Sequence, residues 1–172
     1  MSRVLIIDDD KHLLTALPTV FTQSPCVITV DTASSAEQAL RLIEVTEYDT
    51  IVSDFSMPGL NGIEFLKECK AVRPDIPIIL LTGYGTIELE KKAFVEGAYA
   101  VIQKPVDPHE FLAVVTRAII RRELRQTRVT ERSTTPMGEL LAMENQRLSS
   151  RLREVDERLR RQIEDADKDK SN

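Results

Sequence analysis

Cysteine is scarce in this chain. Its 172 residues include only Cys26 and Cys69. They lie far apart with no CxxC spacing, which argues against a disulfide framework or a zinc site. Two small buried hydrophobes in a reducing, cytoplasmic setting fit better. Long apolar runs are missing too: no window approaches the roughly 18 uncharged apolar residues of a membrane span, so no membrane contact is expected. MSRVLIIDDD, at the start, sets three acids directly after a short apolar run. A secretory signal needs a longer apolar region and a small-residue cleavage site. Positive charge is sparse in residues 1–120, with 10 Lys+Arg against 17 Asp+Glu, net −7. Residues 121–172 hold 13 against 11, net +2, which restores the total of −5. The change of character places a boundary near residue 120.

What is present is a regular alternation. Short runs rich in Val, Ile and Leu occur at Val4–Ile7, Val27–Val30, Thr50–Ser53, Ile78–Leu81 and Ala100–Ile102. Runs of this kind suit parallel strands covered on both faces. Stretches with helical apolar spacing separate them. Ser35 to Gln38 and Asn61 to Glu64 read as capping boxes, and Asp107-Pro108 as a cap followed by proline at the first helical position. Pro18 falls inside the first helical stripe, where it removes a donor and is expected to kink the helix. The pattern is (βα)5, an α/β doubly wound parallel sheet with helices on both faces.

In such sheets, sites form beyond the carboxyl ends of the strands. Those ends carry Asp8, Asp9 and Asp10, then Asp54, Thr82 and Lys104-Pro105, while the second strand contributes nothing comparable. Two carboxylates ~4 Å apart repel by on the order of 4 kcal/mol at an effective dielectric of 20. A single lysine does not offset three of them, so either a pKa rises or a cation binds. Few, hard oxygen ligands suit Mg²⁺, and acids, a divalent ion, a hydroxyl and an ammonium suit the handling of a phosphoryl group. Taken singly, each residue has a plainer reading, as a helix cap, a turn residue, a strand end or a solvated loop lysine. Their joint placement at four strand ends is what points to a site.

The stretches VLIIDDD, SDFSMPGLNG, LLTGYG and QKPVD resemble, in order and spacing, the receiver domain of two-component response regulators. The likeness runs from residue 3 to about 120. It implies strand order 2-1-3-4-5. It implies that Asp54 takes a phosphoryl group from a sensor histidine kinase, with Mg²⁺ held by Asp8, Asp9, Asp54 and the backbone carbonyl of Ser56. Lys104 would pair with the acceptor, then with the phosphoryl group, and Thr82 would carry the switch. Tyr84, flanked by Gly83 and Gly85, would lie in a movable loop after Thr82. The family often has Tyr or Phe in strand 5 as the switch partner; here that position is Val101, and Tyr99, two residues earlier, is expected on the same face. The chain would be a regulator, not an enzyme, acting on a downstream protein effector.

Residues 121–172 read differently. Helix 5 is expected to run on to about Arg132, with STTPMG (133–138) breaking it, so that 121–138 is a helical extension and linker. Over 139–165 Leu141, Leu148 and Val155 fall at d, and Asn145, Leu152 and Leu159 at a, of a coiled-coil-like helix that would pair two copies. The plainer alternative is one amphipathic helix folded back on the receiver. Residues 166–172 are too polar to pack and are expected to form a disordered tail. Arg121, Arg122, Arg125 and Arg128 invite a basic-helix DNA reading, but Glu123, Glu131 and Pro136 interrupt it and no helix-turn-helix follows, so nucleic acid binding is unlikely. A haloacid-dehalogenase-like phosphatase would put its nucleophile at Asp8, but position 12 is His where that motif needs Thr. A third reading is a receiver and linker whose output domain lies beyond Asn172.

Overall fold

The computed structural model describes residues 2–24, 27–83 and 85–131, and, further on, 143, 146–151, 153 and 157. The chain divides into two compact units, Met1–Ile119 and Ile120–Asn172. In the first, strands and helices alternate: β1 (Ser2–Ile7), α1 (Lys11–Val20), β2 (Ile28–Ala33), α2 (Ala36–Val45), β3 (Thr50–Asp54), α3 (Gly62–Val72), β4 (Ile78–Thr82), α4 (Ile87–Val95), β5 (Ala100–Gln103) and α5 (Pro108–Glu131), which continues into the second unit. All strand pairs are parallel, in the order β2-β1-β3-β4-β5. This is the expected doubly wound sheet.

Alternation along the strands divides the core. Leu5, Ile7, Ile51, Ile78 and Leu80 face Ala36, Ala39 and Ile43 of α2, Ile63, Leu66 and Cys69 of α3, and Ala93 of α4. Val4, Ile6, Val52, Ile79, Leu81 and Ile102 face Leu17 of α1 and Phe111, Leu112 and Val115 of α5. The period of two turns successive side chains to opposite faces, and the crossover helices cover both. Cys69 is fully buried and burial lifts its thiol to about 11, as expected for an inert core residue.

Two local readings need correction. The second strand runs to Ala33 because Leu5 pairs with Asp31 and Ile7 with Ala33, so polar Asp31 and Thr32 belong to it. Gln38 does not close a box on Ser35: its side chain accepts from the backbone and hydroxyl of Ser34, while the Ser35 hydroxyl accepts from Gln38 N at 3.2 Å. Pro18 sits only two residues before the end of α1, which passes into a 3-10 turn, Phe21–Gln23. Asn61 and Glu64 do form a reciprocal box.

Tyr48 ties the edge of the sheet. It is fully buried, and its hydroxyl donates to Asp31 Oδ2 at 2.9 Å. Arg3 Nε donates to the same oxygen at 2.7 Å and stacks over the Tyr48 ring at 5.8 Å. Burial first, then the bond to Asp31, lifts the phenol to about 12. A group whose folded pKa is raised contributes stability below its unfolded value and loses it as pH rises through the folded one. Tyr48→Phe should therefore cost about 1 kcal/mol near neutrality. That difference should shrink between the ordinary tyrosine value and about 12, as urea midpoints across alkaline pH will show.

In the second unit, Leu148 is 7% exposed, so its apolar side chain is already covered within a single chain. Arg122 is also buried, whereas Arg121 and Arg125 are exposed, so the four basic positions do not form one solvent-facing stripe. Leu141, Asn145, Leu152, Val155 and Leu159, with the Arg128 side chain and the tail, lie outside the described residues.

Candidate functional site

Parallel register brings the carboxyl ends of β1, β3, β4 and β5 to one rim. Ile7 pairs with Ser53, Asp54 with Leu81, and Thr82 with Gln103. Asp54 and Thr82 are themselves the last residues of their strands, while Asp8 and Lys104 follow theirs directly. The rim is tied by backbone bonds from Phe55 N to Leu81 O at 2.8 Å and from Lys104 N to Thr82 O at 2.7 Å. The Lys104–Pro105 peptide is cis.

Lys104 bridges two buried acids. Its Nζ lies 2.9 Å from Asp8 Oδ2 and 2.7 Å from Asp54 Oδ1. Asp8 is 1% exposed and Asp54 4%. Burial pulls the Lys104 ammonium down, but hydrogen bonds to Asp54 and Asp8 outweigh it and hold its pKa above the ordinary lysine value. The other oxygens are held by main chain: Asp10 N donates to Asp8 Oδ1 at 2.8 Å and Ser56 N to Asp54 Oδ2 at 3.1 Å. Each carboxylate is thus fixed at both oxygens, which suits a charge carried in low dielectric.

Asp9 stands exposed beside this pair. One carboxylate oxygen from each of Asp8, Asp9 and Asp54 lies within 4.8 Å of the others. Three negative charges and one positive leave a local charge of −2, the complement of a divalent cation. The donors are hard oxygens, few in number, and part of the rim is open to solvent through Asp9, as suits an ion that keeps several waters. The donor set therefore fits Mg²⁺. Asp10 is not among the clustered oxygens; it caps α1, accepting from His12 N at 2.8 Å.

The expected switch residues do not all meet here. Thr82 is buried at the end of β4, at the same rim. Val101 is half-buried against the core layer of α2, α3 and α4. Tyr99 packs in the opposite layer, with α1 and α5. The same-face expectation fails because Tyr99 precedes β5, where the strand's alternation has not begun. Tyr84 lies outside the described residues. Two contributors went unread in the sequence: the Ser56 N–H, invisible because every residue but proline has one, and Gly62, discussed below.

Comparison with known proteins agrees with this geometry. A family model described as the response regulator receiver domain matches residues 4–116. The C4-dicarboxylate transport transcriptional regulatory protein DctD of Rhizobium meliloti is 34% identical over 121 residues, covering 70% of this chain and 26% of that protein. The DNA-binding transcriptional regulator NtrC of Salmonella typhimurium is 28% identical over 146 residues, covering 83% and 31%. A response regulator receiver domain protein from Clostridium thermocellum superposes with a TM-score of 0.66 at 31% identity, covering 72% of this chain and 98% of that one. NtrX from Brucella abortus gives 0.67 at 26% identity, covering 73% and 28%. This chain spans 26% and 31% of the two curated relatives' lengths.

Proposed function

The chain belongs to the response regulator receiver domain family, and from that premise we propose that Asp54 is its phosphoacceptor. The observation that carries this reading is the Lys104 ammonium bridging Asp54 and Asp8, two nearly buried carboxylates at the ends of different strands. A carboxylate oxygen of Asp54 attacks, through a remaining lone pair, the phosphorus of a phosphohistidine on a sensor kinase. An O–P bond forms and the P–N bond breaks, its electron pair leaving with the imidazole. Asp8, Asp9, Asp54 and the Ser56 carbonyl would hold Mg²⁺, which supplies positive charge for the phosphoryl oxygens. Lys104, already at the acceptor, stays to neutralise the added charge. Thr82 donates its hydroxyl to a phosphoryl oxygen and so couples the modification to the β4–α4 loop, a population shift set by how differently two loop states bind the group. With Val101 in place of an aromatic, the switch runs through this loop without a swinging ring.

In this reading the chain is a regulator that is modified and loses the modification again, acting on a protein effector. The segment after α5 is the output element, paired with a second copy once Asp54 is modified. A second reading is favoured by the relatives' names: DctD and NtrC are transcriptional regulators much longer than this chain, so the receiver would govern an output domain and, through it, DNA. The expectation of no nucleic acid partner gains no support from those relatives.

The test uses a small phosphodonor with Mg²⁺. Reduction of the aspartyl phosphate followed by peptide mapping should place the label on Asp54; a label on Asp8 would overturn the assignment. Beryllofluoride with Mg²⁺ should raise the mass in solution to that of a dimer. A mass that stays monomeric would leave the acceptor standing and remove the self-pairing output.

A further inference from the structure

Gly62 opens α3 under the acceptor strand. It is buried, and its N–H donates to Phe55 O at 2.9 Å. A Cβ at this position would stand 2.8 Å from Asp54 O, 2.8 Å from Phe55 Cα and 3.4 Å from Asp54 C. All three are main-chain atoms, which cannot swing aside as a side-chain tip does. At Gly83 a Cβ would meet nothing within 4 Å, and at Gly85 only side-chain atoms. Nor does the backbone itself demand glycine at 62: the positive-φ glycines are Gly59 and Gly97. What requires glycine is space, and the space is filled by the peptide that mounts Asp54.

Both sides of that peptide are stiff. Phe55 N is bonded across to Leu81 O of β4, and Ser56 N returns to Asp54 Oδ2. The first turn of α3 is locked by the Asn61–Glu64 box, with Asn61 Oδ1 accepting from Ile63 N at 3.0 Å and Glu64 N at 3.1 Å. The strand end is therefore gripped between β4 and a rigid helix start, and their separation is set by the missing side chain of residue 62.

We infer that Gly62 is a positioning residue for phosphoryl acceptance: by letting α3 press on the Asp54–Phe55 main chain, it sets where the Asp54 carboxylate and the Ser56 carbonyl stand relative to the metal. This deepens the function proposed above and rests on it. An added methyl has to displace either the strand end or α3 by several tenths of an ångström. Displacements of that order degrade metal ligation and in-line attack well before they unfold a domain.

The test compares two variants of the full chain on one helix. Gly62→Ala adds an atom against the strand end. Cys69→Ala removes a buried atom two turns further on, weakening the seat of α3 while leaving the contact of residue 62 with the Asp54–Phe55 main chain in place. Mg²⁺ affinity is read by calorimetry, stability by the thermal midpoint, and phosphorylation by label from acetyl phosphate at saturating Mg²⁺. Gly62→Ala should raise the Mg²⁺ Kd and slow labelling by about tenfold each. Cys69→Ala should lower the midpoint and keep the wild-type Kd. A wild-type Kd and rate in Gly62→Ala, or an equal rise in Cys69→Ala, overturns the positioning role. A wild type that neither binds Mg²⁺ nor takes label overturns the site assignment itself, and the role of Gly62 falls with it. If Gly62→Ala does not fold, even with trimethylamine N-oxide to favour the compact state, Asn61→Ala is read in its place. It loosens the same helix turn without adding an atom. A Kd raised about twofold or more supports the role, and an unchanged Kd overturns it.

Discussion

Asp54→Asn should reduce phosphoryl incorporation from acetyl phosphate by at least on the order of a hundredfold, with folding intact. Asn keeps the shape of the side chain and an oxygen able to accept from Ser56 N, which bonds Asp54 Oδ2 at 3.1 Å. What it removes is the anionic oxygen that attacks phosphorus. The variant also loses one of the three clustered carboxylates, so its Mg²⁺ affinity should fall. Label per mole of protein, with and without Mg²⁺, measures both effects. Label that persists at the wild-type level in Asp54→Asn would sink the acceptor assignment; label that ignores chelation of the metal would sink the cation's part in it.

Lys104→Ala should have the largest effect on stability. Asp8 and Asp54 are 1% and 4% exposed and both lean on one ammonium. Removing it leaves two buried carboxylates facing each other with no counter-charge. Breaking a buried pair in this way costs about 3–5 kcal/mol. Urea unfolding in EDTA should show that loss, and millimolar Mg²⁺ should recover part of it, because an ion that binds only the folded state stabilises by mass action. Asp54→Asn, by contrast, removes a charge and orphans none, so its midpoint in EDTA should move far less. In Lys104→Ala/Asp8→Asn the loss should be partly cancelled, the coupling expected of residues in direct contact. A Lys104→Ala variant as stable as wild type in EDTA would mean that these carboxylates are not charged together, and the electrostatic case for a divalent ion would go with it.

Individual elements show how far a linear reading reaches. The strands at 50–53 and 78–81, each one residue short of its observed end, are visible because Val, Ile and Leu cluster where both faces of a sheet are covered. The caps at Asn61 and Asp107 are visible because capping acts within three residues. The end of β2 was not visible: Asp31 and Thr32 carry no strand signal, and they are strand only because β1 pairs with them. The partner of Gln38 moved by one residue because Ser34 and Ser35 are equivalent in sequence and differ only in local backbone. Tyr99 was placed on the wrong face because alternation was extended past the first residue of β5.

Taken alone, the sequence determined the (βα)5 order, the helix starts, and which residue types stand at the strand ends. All of these are set by contacts among near neighbours and by chain order. Only the tertiary structure decided that Lys104 Nζ meets both Asp8 and Asp54, and that no side chain fits at residue 62. Those outcomes depend on parallel register across strands far apart in the chain and on how closely α3 packs beneath β3. Register and packing distance are properties of the assembled sheet, and no local pattern encodes them.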